Sequence, residues 1–155
     1  MIGAALAEER TRVDELKARR DGERQGVIRQ AMRDVMTEKV GLFRQAEAMH
    51  AAVEQIAGLK ERYGRVVLDN RGERFNYDLV DTLELEGMLD LAEVTALGAW
   101  QRTESRGSHF RTDYPTRDDA GWLKHTMADY NPRGLARLWY KGVMVTKYPP
   151  MERKY

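Results

Sequence analysis

The residues best equipped for chemistry crowd into one stretch. Between Arg102 and Asp119 the chain carries four arginines (Arg102, Arg106, Arg111 and Arg117) against four acids (Glu104, Asp113, Asp118 and Asp119), with His109 among them. Arginine forks and carboxylates make bidentate, orientation-setting pairs. Charge balanced this evenly pairs with itself, meets a partner surface, or is a solvated run with no particular task, and the residues alone leave these readings open. A phosphate-binding patch would be lopsidedly basic. Two catalytic alternatives are weaker. His109, Asp113, Asp118, Asp119 and His125 offer ligands suited to zinc or iron, but their spacing matches no helical ligand motif and arginines lie between them. Ser105 or Ser108 beside His109 suggests an activated nucleophile, yet neighbours in a turn rarely have triad geometry. No residue is therefore assigned a catalytic or metal-binding role. Trp122 can anchor the following segment apolarly while its indole N–H finds a partner.

These side chains need elements to hold them. Gly107 and Pro115 punctuate the stretch, so it marks the end of a helix and the start of an ordered, non-repetitive segment. Upstream, three apolar stripes predict three helices. The first starts near Arg24 with Ile28, Met32, Val35, Met36 and Val40, and Gly41 interrupts it. The second carries Phe43, Ala46, Met49, Val53, Ile56, Leu59 and Tyr63 and ends at Gly64, read as a left-handed C-terminal residue. The third is capped by Asn76, with Phe75 and Val80 placed as a hydrophobic staple and Asp78 against the helix dipole. Its stripe is Leu85, Leu89, Ala92, Ala96 and Ala99, small enough at several positions for close helix approach. The predicted fold is all-α: an antiparallel three-helix bundle of the spectrin-repeat kind over residues 24–104. Residues 1–23 precede it as a linker or loosely packed helix, broken at Asp21-Gly22. Residues 105–155 follow as a signature loop and extended tail of the same domain. In that tail, Asn131-Pro132 and Gly134 mark a turn. Leu135–Tyr140 and Val143–Val145 suit a short β-hairpin, and Pro149-Pro150 prevents further regular structure.

Bulk properties narrow the function. At 155 residues the chain fits one domain, and 42% hydrophobic with 33% charged residues suits a folded helical one. A net charge of +1 gives no long-range steering towards nucleic acid or an anionic membrane, so neither is an expected partner. Zero cysteines exclude disulfides and cysteine-ligated clusters within it and suit an intracellular compartment. No window approaches a membrane span. No G-x-G-x-x-G, P-loop or G-x-S-x-G element occurs.

The run R-T-E-S-R-G-S-H-F-R-T-D-Y-P-T-R-D-D-A-G-W-L-K-H-T resembles the C-terminal signature of succinate dehydrogenase and fumarate reductase flavoprotein subunits. In that family it reads approximately R-x-E-S-R-G-A-H-x-R-x-D-(Y/F)-P-x-R-D-D-x-x-W-L-x-H. Ser108 alone departs, one small residue for another. Y-P-P-M-E-R-K-Y (Tyr148 to Tyr155) is similar to the family's terminus, as are Val40-Gly41-Leu42-Phe43-Arg44, Phe75-Asn76 and Leu83-Glu84-Leu85 to its upstream residues, so the resemblance spans about residues 24–155. L-Aspartate oxidases share the E-S-R-G core without the R-D-D-x-x-W-L-x-H continuation.

The resemblance implies a parent enzyme that interconverts succinate and fumarate through FAD and passes electrons to an iron–sulfur subunit. The parent would be cytoplasmic, peripheral to the inner membrane and without direct membrane insertion. The family's flavin and dicarboxylate residues precede this region, so the chain is expected to bind no cofactor and to be inactive alone. It also tips the reading of Arg102, Glu104, Arg106, His109, Arg111, Asp113, Arg117, Asp119 and Trp122 towards structural docking on the flavin-binding domain. The rival is a free-standing helical interaction module derived from that family.

Overall fold

The computed structural model describes residues 2–132, 134–149 and 151. Four long helices dominate: α1 (Ile2–Ala18), α2 (Gln25–Lys39), α3 (Ala46–Tyr63) and α4 (Tyr77–Gln101), followed by a single turn, α5 (Asp119–Trp122). The expected apolar stripes converge on one core. Ile28 and Met32 of α2, Met49, Val53, Ile56 and Leu59 of α3, and Leu85, Leu89, Ala92, Ala96 and Ala99 of α4 are all buried. Each of the larger side chains contributes about 1.5–3 kcal/mol by leaving water. Thr82 is buried among them and satisfies its hydroxyl by donating to the Asp78 carbonyl at 2.7 Å.

Short strands tie the helix ends together. β1 (Glu23–Arg24) pairs in parallel with β3 (Val66–Val67), placing the start of α2 beside the end of α3. β2 (Phe43–Arg44) pairs in parallel with β4 (Phe110–Arg111), placing the end of α2 and the start of α3 beside the segment that follows α4. Thus α2 and α4 run one way and α3 the other. Gly22 permits the first junction. A Cβ there would lie 1.9 Å from the Arg65 carbonyl oxygen, and its φ of +153° disfavours other residues.

α4 starts as expected, with the Asn76 Oδ1 accepting from the Leu79 N–H at 2.9 Å. Other details differ. Phe43 lies outside α3, in β2 and exposed, because the chain must cross between helices there. Gly64 is right-handed (φ −53°), its N–H donating to the Lys60 carbonyl, so α3 ends by simple continuation of its bonding. Phe75 (φ +52°) and Val80 are both exposed and bury no staple.

The all-α expectation therefore needs correcting: the described residues are predominantly helical with three two-stranded sheets. The third sheet is an antiparallel hairpin, but its strands are β5 (Lys124–Asp129) and β6 (Arg137–Gly142). The turn signals Asn131, Pro132 and Gly134 sit inside the hairpin instead of before it, and Val143–Val145 form no strand. The hairpin packs against the core through Ala136 and Leu138. The buried Glu93 carboxylate fastens it by accepting from the Ala136 N–H at 2.8 Å. Pro150 and Glu152–Tyr155, part of the terminal motif, lie outside the described residues.

α1 is exposed along most of its length. Leu16 enters the core, Arg12 pairs with Glu86 of α4, and Arg19 donates to the Val66 carbonyl at 3.3 Å.

Candidate functional site

α4 ends at Arg102, whose extended backbone (φ −81°, ψ 104°) turns the chain back over the helix end. Two residues on, Glu104 is completely buried. A buried carboxylate survives only when paired and hydrogen-bonded, and this one is. It accepts from Arg102, from Arg106 Nε at 2.8 Å and Nη2 at 3.0 Å, and from the Asp118 N–H at 2.9 Å. Burial pushes its carboxyl group up. The bonds from Arg106, the Asp118 amide and Arg102 outweigh that and hold it below the usual glutamate range.

Arg102 has further work. Its guanidinium donates to the carbonyls of Trp122 (3.0 Å) and Lys124 (2.6 Å) and lies over the Trp122 ring, 4.9 Å from the centroid. This ties the start of the hairpin to the end of α4. Trp122 donates its indole N–H to Thr103 Oγ1 at 3.0 Å and meets the Tyr140 ring edge-on at 5.5 Å. Lys124 Nζ lies 4.4 Å from both rings, a favourable cation–π position. Asp119 accepts from Arg106 Nη2 at 2.7 Å and Arg117 Nε at 2.8 Å, and Arg117 then the second arginine hold its carboxyl down at about 2. Arg117 also donates to the Met151 carbonyl at 2.7 Å, which brings the tail back to the loop.

A second cluster forms around Arg111, a guanidinium only 1% exposed. Its Nη1 donates to the carbonyls of Ala99 (3.3 Å), Trp100 (2.9 Å) and Arg102 (3.0 Å). These include carbonyls that a helix C-terminus leaves without partners. α4 has no basic residue in its last turn, so Arg111 supplies the missing cation from the loop. Its other nitrogens grip Asp113 at 2.7 and 2.6 Å. Asp113 in turn accepts from the Ala46 N–H at 3.0 Å, capping α3, whose own Gln45 makes no side-chain cap. The Arg111 bonds hold the Asp113 carboxyl down at about 2.

His109 joins the third helix end. Its Nε2 lies 3.2 Å from the Arg102 carbonyl and its Nδ1 lies 2.7 Å from Arg44 Nη1. Arginine can only donate, so Nδ1 accepts and Nε2 carries the proton. Burial, helped by the cations Arg44, Arg111 and Arg102, outweighs the bond to the Arg102 carbonyl and pushes the imidazole below its usual range. Arg44 Nε closes α2 by donating to the carbonyls of Val40 (3.2 Å) and Gly41 (2.9 Å).

The stretch thus brings together every residue singled out in it, in two linked clusters. Its chemistry is mutual satisfaction. Ser105 Oγ accepts from the Arg111 N–H and donates to the Tyr114 carbonyl at 2.8 Å, Ser108 is exposed, and His109 points at Arg44 and Arg102, so neither serine is set up for attack. Among the described residues no group of His, Asp and Glu is arranged to hold a metal ion. Nor is any helix among them long and apolar enough to cross a membrane. His50, on α3, is exposed and meets the Trp100 ring at a tilt, with centroids 4.6 Å apart.

Sequence reasoning missed the bonding roles of Arg44 and Ser105, and it missed Thr103 and the pair between the buried Glu93 and the part-exposed Lys60 (2.8 Å). A basic residue just beyond the helix-breaking Gly41 was a readable signal for Arg44. An acid one position past Ala92, within the apolar stripe of α4, was one for Glu93.

The helical fold that carries this network resembles one region of solved quinol fumarate reductase chains. The chain belongs to the family described as "Fumarate reductase flavoprotein C-term", whose model matches residues 29–155. It is 42% identical over 144 residues to the fumarate reductase flavoprotein subunit of Haemophilus influenzae, covering 93% of this chain and 24% of that protein. To the Escherichia coli fumarate reductase flavoprotein subunit it is 38% identical over 156 residues, covering 99% and 26%. A solved chain of E. coli quinol fumarate reductase superposes with a TM-score of 0.91 at 37% identity, covering 97% of this chain and 26% of that one. The chain therefore spans about a quarter of the length of the relatives it matches.

Proposed function

We propose that this chain is the structural, docking domain at the C-terminus of a succinate dehydrogenase or fumarate reductase flavoprotein subunit. The parent interconverts succinate and fumarate through FAD and passes electrons to an iron–sulfur subunit, peripheral to the inner membrane on the cytoplasmic side. The chain itself contributes no catalytic residue, holds no FAD and is inactive alone. In this reading α2, α3 and α4 form an antiparallel three-helix bundle within residues 24–104, residues 105–155 are its signature loop and tail, and residues 1–23 are a loosely packed lead-in. Arg102, Glu104, Arg106, His109, Arg111, Asp113, Arg117, Asp119 and Trp122 act by fixing the shape of the end that meets the flavin-binding domain.

One observation carries this reading: the signature's charges are satisfied inside the chain, with Glu104 and Arg111 buried in it. Groups so thoroughly engaged set geometry, and they are poor candidates for binding or transforming a substrate. The test is calorimetric titration of the purified chain into a separately expressed flavin-binding portion of the same subunit. Saturable, equimolar binding that restores flavin retention or succinate-dependent dye reduction is expected. Failure of a well-folded, monodisperse chain to bind would favour a free-standing interaction module. A stoichiometric flavin spectrum from the chain alone would overturn the assignment of FAD to the parent only.

A further inference from the structure

We infer that the exposed apolar platform formed by Leu42, Phe43 and Phe110 is the contact through which this domain docks on the flavin-binding portion of its subunit. The inference rests on the docking-domain reading above and names the face that reading leaves open.

Leu42 is 64% exposed and Phe43 71%, while Phe110 is 37% exposed with its ring edge-on to Phe43 at 5.8 Å. The two rings touch and Leu42 adjoins Phe43 in the chain, and clustered exposed apolar side chains mark contact sites more often than single scattered ones do. Nor is this a floppy loop. Phe43 and Phe110 face each other in the β2–β4 pair, and the Thr112 N–H and hydroxyl both bond the Arg44 carbonyl (2.9 and 3.2 Å). Arg44 is in turn fixed to the end of α2 and to His109. The neighbouring charges are spent on holding the two aromatic rings in place. Rigid aromatic anchors lose little freedom on binding, which is why they dominate interface energetics.

The occupant follows from chain direction. The matched family region is C-terminal and about three quarters of each relative lies outside it, so in a subunit of that length the remainder precedes this chain. α1 runs against α4. Its C-terminal end lies near the start of α4, where Arg71 donates to the Arg19 carbonyl and Asn76 to the Asn70 carbonyl, and Arg12 pairs with Glu86 further along. Ile2 consequently points towards the end of the molecule that carries Phe43 and Phe110. A preceding domain joined there is delivered to the platform's end, and not to the opposite end formed by β1 and β3.

The test compares wild type with Phe43→Ser/Phe110→Ser in the same titration into the flavin-binding portion, with Leu91→Ser, another exposed apolar position, as a control. Binding by the double variant should weaken about 30-fold or more, as for loss of an aromatic hot spot, while Leu91→Ser binds as wild type does. If the double variant melts early, Leu42→Glu, outside both strands, should give the same loss in a folded chain. Binding by wild type and by these variants with equal affinity would overturn the platform and leave the docking-domain reading standing. No binding by wild type would overturn both. Self-association of the wild type, relieved in the variants with heterologous binding unchanged, would make a second copy the occupant and also overturn the proposal.

Discussion

Arg111 and Asp113 form one bidentate pair that finishes two helices at once. Through its remaining nitrogen Arg111 collects the last carbonyls of α4, and through its second oxygen Asp113 caps the first amide of α3. Helix α4 carries no basic residue in its own last turn and α3 has no side-chain cap. Residues remote in sequence supply what both helices lack locally.

Removing Arg111 should therefore be expensive. Arg111→Ala leaves three carbonyls and a carboxylate without their partner, and a loss of about 3 kcal/mol is expected. Arg111→Lys should recover little of it, because a single ammonium cannot span carbonyls and carboxylate together. Urea unfolding followed by circular dichroism measures both. A change under about 1 kcal/mol for Arg111→Ala would show the pair to be dispensable.

Acid should attack the Glu104 cluster. The folded-state pKa values of Glu104 and Asp113 lie below their ordinary values of 4.5 and 3.8, Asp113 at about 2. The stabilisation is present above the ordinary values and is lost as pH falls through them towards the folded ones. Glu104→Gln should be less stable by about 2 kcal/mol near neutrality, since it leaves the part-buried Arg102 and Arg106 without the carboxylate they share. It should also lose less stability than wild type between pH 5 and pH 3, an interval set by those pKa values. Parallel stability–pH curves for the two proteins would contradict this account.

His109 gives a second, milder pH dependence. Its pKa is pushed below the ordinary 6.5, so the unfolded chain takes up a proton that the folded chain refuses. Stability should fall as pH drops below about 6.5, until the folded-state value is reached. His109→Gln should flatten that interval while leaving the acid limb in place. Denaturation midpoints at pH 7.5 and 5.5, chosen to straddle the ordinary value, would test it. An unchanged difference between them would assign the dependence elsewhere.

Asn76 caps α4 and also donates to the Asn70 and Gly72 carbonyls, both at 2.9 Å. Asn76→Ala should cost about 2 kcal/mol, at the upper end for an N-cap. Asn76→Asp keeps the cap to Leu79 and loses the two donor bonds, so its melting temperature should fall between the other two. Equal melting of Asn76→Asp and Asn76→Ala would mean that the cap to Leu79 does not outweigh the repulsion between the new carboxylate and the Asn70 and Gly72 carbonyls.

Gly22→Ala introduces a Cβ 1.9 Å from the Arg65 carbonyl. The strands β1 and β3 must then separate, at a cost of about 2 kcal/mol or more. Amide exchange at Glu23, whose N–H donates to that carbonyl at 3.4 Å, should quicken first. Protection unchanged from wild type would mean that the junction tolerates the shift.

Much of this was legible in advance for a local reason. The stripes from Ile28 to Met32, Met49 to Leu59 and Leu85 to Ala99 repeat at the helical period, and the cap at Asn76 needs only residues three apart. Both are properties of neighbouring residues, so the helices and the faces they bury follow directly from residue order. The family signature was readable for the same reason, being one continuous run.

What tertiary structure decided is which charge meets which, and which apolar residues stay outside. Arg111 closing α4, Asp113 capping α3 and Arg44 meeting His109 depend on three helix ends arriving at one place. Phe43 continued the α3 stripe in sequence, yet the crossing from α2 to α3 left it exposed on a strand beside Phe110. The hairpin chose Lys124–Asp129 as its first strand because Arg102 and Trp122 hold that segment to α4. Periodicity is written within a few residues, whereas an ion pair or a two-residue strand is specified only by the distance between segments that the packed core brings together.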